Sequence, residues 1–397
     1  MKQSLSHLSI NTADTAIDTF TKDLKCLVSD PVSLSIGLPN ETLIPKNQLE
    51  EVFSTILNTN ELPFYHYCDA KGMPQLIETI AKNENTSSEH ILITSGNTQG
   101  IELSTRLFLN NKDVIAMEEY SYSLIHTISK QYQSDVVQVP LSFDGLDTDF
   151  LEESLKQLKI KMLYVIPNSQ NPTGITLSLK KRKKLIELAY KYDFMIIEDD
   201  PYRDLSFHKP LPSLFELDPK KEKVVYLYSF SKTIAPTLRT GFILAHPYFI
   251  EKFTQLKQIA DSCTSPLHQL VINELINSNE WSTHLLKTQK FYEERKEITK
   301  SFLAKMNNKY GWTSYEPAGG MFYWVDLQKG DALEFLKIAY QQGVLFIPGQ
   351  VFSLDLKKAT TFRLCYSYCS NSDLEKGFSR LESSYSNWLK IQNKPLN

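Results

Sequence analysis

One short segment carries the residues best suited to covalent chemistry: Ser229-Phe-Ser-Lys232, followed seven positions later by Arg239. A lysine amine forms a Schiff base with a carbonyl compound when its surroundings lower its pKa. Serine hydroxyls and a guanidinium suit a phosphate group. Arginine is scarce here, with seven residues in 397, so an arginine beside this lysine is more informative than another lysine would be. The segment predicts an amine next to a phosphate site.

Two further polar segments follow apolar runs of the sequence. The first is Pro167 to Gly174, which contains Asn171, and the second is Glu198-Asp-Asp-Pro-Tyr202. The spacing of Asp199 and Tyr202 allows both side chains to contact one ligand from a single turn. An acidic residue that closes a strand is as often a simple loop cap, so both interpretations stay open.

The segment Ser95 to Gly100 also follows an apolar run and precedes a helical pattern. Glycines and small polar residues at the start of a helix leave backbone N–H groups free to bind phosphate. The segment matches neither GxGxxG nor a P-loop, so an ordinary strand–helix turn explains it equally well.

The elements that must position these residues are short apolar runs alternating with helical patterns. Runs that are apolar on both faces predict buried parallel strands, and the segments between them are long enough for crossover helices. Residues 178–194 predict one such helix, capped by Ser178. The predicted strands are 91–94, 113–116, 162–166, 194–197, 224–228 and 241–245. An α/β sheet flanked by helices follows, with the polar segments at the carboxyl ends of its strands, where open α/β sheets bind ligands.

The pattern changes near residue 285, where a long helical segment leads into fewer, partly alternating strands. We therefore expect three parts: a large α/β domain at 56–285, a smaller α+β domain at 286–397, and an N-terminal segment, 1–55. That segment has too little apolar periodicity to fold alone, and we expect it to pack on the small domain.

The composition of the chain further limits the class of protein to which it can belong. Lys and Arg total 43 against 46 Asp and Glu, a net charge of −3, which argues against a dedicated nucleic-acid-binding protein. Five cysteines without a CxxC pair favour reduced thiols, and neither a secretory leader nor an apolar span is visible. These features predict a cytoplasmic protein. The basic run 180–184 is interpreted as the start of an exposed helix, and Cys365 and Cys369 as buried thiols, with no metal site.

An amine, an acid, a phosphate site and nearby aromatic residues together describe a site for pyridoxal 5′-phosphate. The sequence resembles the fold-type I aminotransferases, in the class I/II branch that contains kynurenine and 2-aminoadipate aminotransferases and the effector domains of MocR-type regulators. The resemblance covers nearly the whole chain. Its motifs are GLPN (37–40), YCDAKG (67–72), SGNTQG (95–100), NPTG (171–174), EDDPY (198–202), SFSK (229–232), PAGGMFYW (317–324), IPG (347–349) and FRL (362–364).

The resemblance implies a role for each matched residue toward the cofactor. Lys232 would form the Schiff base and move the substrate proton, and Asp199 would keep the ring nitrogen protonated. Tyr202 and Asn171 would hydrogen-bond the 3′-oxygen on the cofactor ring, and Tyr122 would stack on the ring. The residues implied to hold the phosphate are Asn97, Thr98, Ser229, Ser231 and Arg239.

The same resemblance implies the substrate contacts and a homodimer. Arg363 would bind the α-carboxylate of the substrate, with Gly37 and Asn171 nearby. Tyr67 matches a tyrosine that reaches the phosphate of the neighbouring subunit. The expected reaction is a ping-pong exchange between an amino acid and a 2-oxo acid.

Arginine is absent from residues 1–105, whereas relatives that use dicarboxylic substrates often hold the second carboxylate with an arginine from this region. Lys22 and Lys25 could act there only as point charges. We therefore predict a neutral or aromatic amino acid as substrate. Two alternatives stay open: another pyridoxal-phosphate reaction, such as β-elimination or cyclisation, and a ligand-sensing MocR-like regulator domain.

Overall fold

The protein is described by a computed structural model that covers Ser9, Asp14 and residues 28–58, 65–354 and 359–392. Its helices are α1 Lys46–Leu57, α2 Pro74–Asn83, α3 Asn97–Phe108, α4 Ser123–Gln131, α5 Thr148–Gln157, α6 Leu179–Tyr192, α7 Leu214–Leu217, α8 Pro247–Asp261, α9 Pro266–Asn277, α10 Trp281–Tyr310, α11 Ala332–Gln341 and α12 Asn371–Gln392. Its strands are β1 Val32–Ser33, β2 Ile91–Thr94, β3 Val114–Glu118, β4 Asp135–Val139, β5 Leu141–Ser142, β6 Gly145–Leu146, β7 Ile160–Val165, β8 Met195–Asp199, β9 Val224–Ser229, β10 Gly241–Leu244, β11 Thr313–Ser314, β12 Phe322–Asp326, β13 Val344–Leu345, β14 Ile347–Pro348 and β15 Thr361–Cys365.

A seven-stranded sheet forms the centre of the fold, in the order β2-β10-β9-β8-β7-β3-β4. The neighbours from β9 to β4 pair in parallel. Alternate residues of β7 belong to two different apolar clusters, Met162 and Tyr164 to one and Leu163 and Val165 to the other. Both faces of the sheet are therefore covered, as the continuous apolar runs predicted.

Strand β10 corrects one part of the sequence prediction, because it runs antiparallel to both β9 and β2. The segment between β9 and β10 contains only one short 3-10 turn, Pro236–Leu238. A parallel pair needs a crossover of about a dozen or more residues, usually helical, so this short connection reverses the chain. Because β2 is antiparallel to β10, it points the same way as β9, and the ends of β2, β7, β8 and β9 meet at one edge.

Helix α6 begins where the sequence predicted, and the Ser178 hydroxyl accepts a hydrogen bond from the Lys181 amide at 3.4 Å. The basic run at its start is not wholly exposed, however, because Arg182 is completely buried. Its guanidinium donates to the carbonyls of Leu177, Pro212 and Pro167 and to Asn168 Oδ1. The buried acids Glu198 and Asp200 lie near enough to interact with its charge. Arg182 thus fixes the loop that follows β7.

The smaller unit contains the antiparallel sheet β11-β12-β15-β14 together with α10, α11 and α12. Strand β1 of the N-terminal segment pairs in parallel with β13 of this unit. Helix α1 instead packs its half-buried Leu49, Val52 and Phe53 on the apolar cluster of the large sheet. The N-terminal segment therefore contacts both units, and the domain boundaries given above stay predictions.

Within the described residues, no helix is long and apolar enough to cross a membrane, and no group of three or more His, Cys, Asp or Glu side chains could hold a metal ion.

Candidate active site

A cavity of about 400 Å³ opens at the carboxyl edge of the large sheet. Its wall combines the loops after β2, β3, β7, β8 and β9 with the N-terminal residues 35–38 and three residues of the small unit. The lining residues are Ser35, Ile36, Gly37, Leu38, Asn97, Thr98, Ile101, Tyr122, Ile166, Asn171, Asp199, Pro201, Tyr202, Ser229, Ser231, Lys232, Pro236, Arg239, Phe322, Ile347 and Arg363. Every site residue predicted from the sequence, except Tyr67, is in this wall.

Lys232 lies on the turn directly after β9, and its Nζ donates to the Gly37 carbonyl at 2.8 Å. Burial, together with the positive charges of Arg363 and Arg239, lowers the pKa of this amine from 10.5 to about 8, although Cys365 and Asp199 oppose the change. At pH 7 about a tenth of the amine is therefore unprotonated, far more than for an exposed lysine, and this is the form that attacks a carbonyl.

Asp199 ends β8 and is almost fully buried. Its Oδ1 accepts from Asn97 Nδ2 at 2.6 Å and its Oδ2 from the Tyr164 hydroxyl at 2.5 Å. Burial raises the pKa of Asp199 to about 6, although these two hydrogen bonds and Lys232 oppose the rise. The carboxylate is consequently held rigidly and is mostly ionised at neutral pH.

Tyr164 was not predicted as a site residue, because it lies within an apolar run that reads as sheet core. A buried tyrosine hydroxyl usually finds a hydrogen-bond partner, which was the available signal. The sequence could not name that partner, since it depends on which strand lies beside β7. Strand β8 is that neighbour, and this places Tyr164 beside Asp199.

Two tyrosines predicted for the site line the cavity from different loops. Tyr202 is buried, and its ring meets Phe322 edge-to-face with 5.8 Å between centroids. Burial raises the pKa of Tyr202, so its hydroxyl stays protonated and able to donate a hydrogen bond. Tyr122 is half-buried at the start of α4.

One end of the cavity is built for an anion. Helix α3 begins at Asn97 directly after Gly96, so its first amide groups point out of the helix at this end. Arg239 Nη2 donates to the Ser95 carbonyl at 3.2 Å. Gly96 has φ +86°, and a Cβ there would lie 2.8 Å from Arg239 Nη2, so a side chain would displace the arginine. Ser229, Ser231 and Thr98 line the same cavity.

Arg363 forms the wall on the side of the small unit and is 3% exposed. Its Nη1 donates to Asn171 Oδ1 at 2.7 Å and its Nη2 to the Ser35 carbonyl at 2.6 Å. Its Nε is buried without a hydrogen-bond partner among the described residues. The guanidinium carbon lies 4.3 Å from the ring centre of Phe322. A buried guanidinium that lines a cavity and keeps one donor without a partner suits a carboxylate.

Gly37 and Tyr67 are the remaining predicted residues. A Cβ on Gly37 would lie 2.9 Å from Phe322 Cζ, so the glycine allows the N-terminal segment to close against β12. Tyr67 is 89% exposed and lies outside the cavity of its own chain.

The functional groups of these residues match the groups that bind pyridoxal phosphate. The wall offers an amine of lowered pKa, a buried carboxylate, and a helix N-terminus beside Arg239, which a Cβ at Gly96 would contact at 2.8 Å. The resemblance named a ligand, and the cavity supplies each group that this ligand requires.

Comparison with known proteins gives a consistent result. The sequence matches the family described as aminotransferase class I and II over residues 34–381. An aromatic-amino-acid aminotransferase of Thermococcus litoralis is 33% identical over 376 residues, covering 91% of this chain and 89% of that protein. An uncharacterized HTH-type transcriptional regulator of Bacillus subtilis is 30% identical over 355 residues, covering 88% of this chain and 72% of that protein. The crystal structure of the α-aminoadipate aminotransferase of Thermus thermophilus, complexed with N-(5′-phosphopyridoxyl)-L-leucine, is similar with a TM-score of 0.90 and 30% identity, covering 98% of this chain and 99% of that one.

Proposed function

The chain belongs to the aminotransferase class I and II family, and we propose that it moves the amino group between a neutral or aromatic amino acid and a 2-oxo acid in the cavity described above. It is an aminotransferase, and its cofactor is pyridoxal 5′-phosphate. The substrate class and the role of each residue are the proposal. The observation that carries it is the meeting of Lys232, Asp199 and Arg363 in one cavity wall.

When bound, pyridoxal phosphate supplies an aldehyde that exchanges Schiff bases and a protonated ring that withdraws electrons from the substrate Cα. Lys232 Nζ would attach the cofactor, then take the proton from Cα and return it. The pKa of about 8 suits both tasks, because the amine can be neutral to attack and protonated to donate. Asp199 would hold the proton on the ring nitrogen.

The anion end of the cavity would bind the cofactor phosphate. Arg239, Ser229 and Ser231 would bind it from the loops around β9, and Asn97 and Thr98 from the start of α3. Support comes from the position of these groups at a helix N-terminus, where exposed N–H groups and the helix dipole favour an anion.

Arg363 would bind the α-carboxylate of the substrate, and Asn171 and Gly37 would help to orient it. Asn171 Oδ1 and the Ser35 carbonyl already restrain the guanidinium from two sides, so little side-chain freedom is lost when a carboxylate binds. The unpaired Nε is a donor that a carboxylate oxygen could satisfy.

The cavity wall beside the Arg363 guanidinium contains apolar residues, and this favours a substrate with a neutral or aromatic side chain. Ile347 is paired in register with Arg363 across β14 and β15, and Ile36 and Leu38 flank Gly37. Among the described lining residues the cations are Lys232, Arg239 and Arg363, and each has a role above. No lining cation in this part of the chain is left for a second carboxylate. Lys22 and Lys25 lie outside the described residues.

The decisive experiment is a single-turnover screen of the protein loaded with its cofactor. Each amino acid is mixed with the protein, and conversion of the cofactor to its amine form is followed by absorbance. We expect neutral or aromatic amino acids to react fastest, and faster reaction with 2-aminoadipate would overturn the proposed substrate class. Recovery of the 2-oxo acid with the full carbon skeleton of the amino acid, matched one-to-one by the amine form of the cofactor and without release of ammonia, separates transamination from elimination or cyclisation.

We propose further that the protein is a homodimer in which Tyr67 of one protomer reaches the phosphate end of the other. Its high exposure and its absence from the lining of its own cavity support this proposal. A stable, fully active monomer in sedimentation would contradict this. The proposed location is the cytoplasm, where reducing conditions would keep Cys68, Cys263, Cys365 and Cys369 as the free thiols they are here.

A further inference from the structure

An ion pair on helix α8, formed by a buried lysine and a partly exposed aspartate, lies next to the loop at the anion end of the cavity. The Lys257 side chain is fully buried, and its Nζ lies 2.6 and 2.8 Å from the two carboxylate oxygens of Asp261. Neither residue lines the cavity. Removing the lysine ammonium from water costs free energy unless an opposite charge pairs with it, and Asp261 supplies that charge.

The carboxylate of Asp261 is also bonded to the loop that precedes α3. Its Oδ2 accepts from the Ser95 hydroxyl at 2.8 Å and from Gln99 Nε2 at 2.7 Å. Gln99 Oε1 in turn accepts from the Ser95 amide at 2.8 Å. The loop is therefore closed on itself by Gln99 and anchored at both ends to one carboxylate. Burial would raise the pKa of Asp261, but the hydrogen bonds from Lys257, Gln99 and Ser95 outweigh it and keep the carboxylate ionised.

The loop held in this way makes two hydrogen bonds to residues that line the cavity. The Ser95 carbonyl accepts a hydrogen bond from Arg239 Nη2, and Asn97 donates a hydrogen bond to Asp199 Oδ1. Both Arg239 and the first amides of α3 face the anion end. A shift of Ser95 or Gln99 would consequently move the phosphate ligands together and weaken the restraint on Asp199.

We propose that Lys257 and Asp261 are positioning residues for the cofactor phosphate, acting through Ser95 and Gln99 on the loop 95–99. The inference rests on the function proposed above. The pair contributes little net field at the phosphate, because its two charges cancel, so its effect is geometric. Lys257 neutralises the carboxylate, and the carboxylate sets where Ser95 and Gln99 lie.

The test compares the affinity of the cofactor-free protein for pyridoxal 5′-phosphate and for pyridoxal, which lacks the phosphate. Both dissociation constants are measured by absorbance titration, so no turnover is needed. The double variant Lys257→Met, Asp261→Leu replaces the pair by apolar side chains of similar size, so that no unpaired charge is left in the buried position of Lys257. Gln99→Met leaves the pair intact but breaks its link to Ser95. Glu102→Gln is the matched control, since it removes a charge from α3 at a residue that pairs with Arg106 and not with the loop.

We expect the double variant and Gln99→Met each to weaken binding of the phosphorylated form by about 10-fold, with pyridoxal binding changed less than twofold. Adding Gln99→Met to the double variant should cost little more, because both changes remove the same link. Equal weakening of both ligands, or no change relative to Glu102→Gln, would overturn the proposal. If the unaltered protein itself does not prefer the phosphorylated form, the proposed anion end is wrong, and this inference is wrong with it. Should the double variant not fold, the ratio measured for Gln99→Met decides alone.

Discussion

The two ends of the cavity are built in different ways. The cofactor end, defined by Asn97, Asp199, Lys232 and Arg239, comes from one edge of a single sheet, and its carboxylate is fixed by hydrogen bonds from strand β7 and from the start of helix α3. The substrate end, defined by residues 35–38, Phe322, Ile347 and Arg363, joins the N-terminal segment to the small unit. The cofactor end is therefore set by the fold of one unit, and the substrate end depends on how separate segments meet.

The largest expected effect tests the cofactor end alone. Lys232→Ala removes the only cavity-lining amine in the described structure, so covalent attachment should vanish and turnover should fall by about 10⁴-fold. Borohydride reduction followed by mass spectrometry detects the attachment. Lys252→Ala, at a partly exposed lysine of α8, is the control and should behave as the unaltered protein. Attachment retained in Lys232→Ala would show that another amine carries the cofactor.

The next effect tests the substrate end. Arg363→Met should lower kcat/KM for every amino acid by about 100-fold, because a buried charge-assisted contact to the α-carboxylate is lost. The affinity for pyridoxal phosphate should stay within a few-fold of normal, since Arg363 does not line the anion end in our assignment. Arg363→Lys should recover little, because an ammonium lacks the planar fork. A parallel loss of cofactor affinity would mean that the two ends are not separable.

The sequence predicted the two ends unequally well. Lys232 and Asp199 were found because each lies at or shortly after the end of an apolar run, and the carboxyl ends of such strands converge. Arg239 was found because arginine is scarce and this one lies seven positions after Lys232. Arg363 and Gly37 came from the resemblance alone, because no local pattern says that residues more than 300 positions apart will meet.

The hydrogen-bond partners of buried polar side chains could not be predicted from the sequence. Arg182 and Arg363 are both buried, yet the donors of the first are engaged by loop carbonyls and Asn168, whereas the second keeps a free Nε among the described residues. The basic run around Arg182 looked exposed because a sequence shows charge and not the carbonyls that surround it. The bond of Tyr164 to Asp199 and the link of Asp261 to Ser95 and Gln99 were missed for the same reason, because these partners lie on other elements.

A pH profile tests the electrostatic link between the two ends. In the ligand-free protein the pKa of Lys232 is lowered to about 8, so the neutral amine is half-populated there and falls about tenfold for each pH unit below. The rate of cofactor attachment should rise with pH and level off above about 8, measured by stopped-flow absorbance. Because the charge of Arg363 helps to lower this pKa, Arg363→Met should move the midpoint upward. A midpoint near that of an exposed lysine, or one that Arg363→Met leaves unmoved, would contradict this link.

The smallest effect concerns the hydrogen bond within the cofactor end. Tyr164→Phe removes the donor to Asp199 Oδ2 while keeping the ring, and the pKa of Asp199 should rise above about 6 because that hydrogen bond opposes the effect of burial. Asn97 still donates to the other oxygen, so kcat should fall only about 3- to 10-fold, and more at pH 6 than at pH 8, where the carboxylate stays ionised. Tyr226→Phe is the matched control on neighbouring β9, since its buried hydroxyl has no hydrogen-bond partner within the described residues. A loss that is equal at both pH values, or equal in the two variants, would show that Tyr164 acts through packing and not through the charge of Asp199.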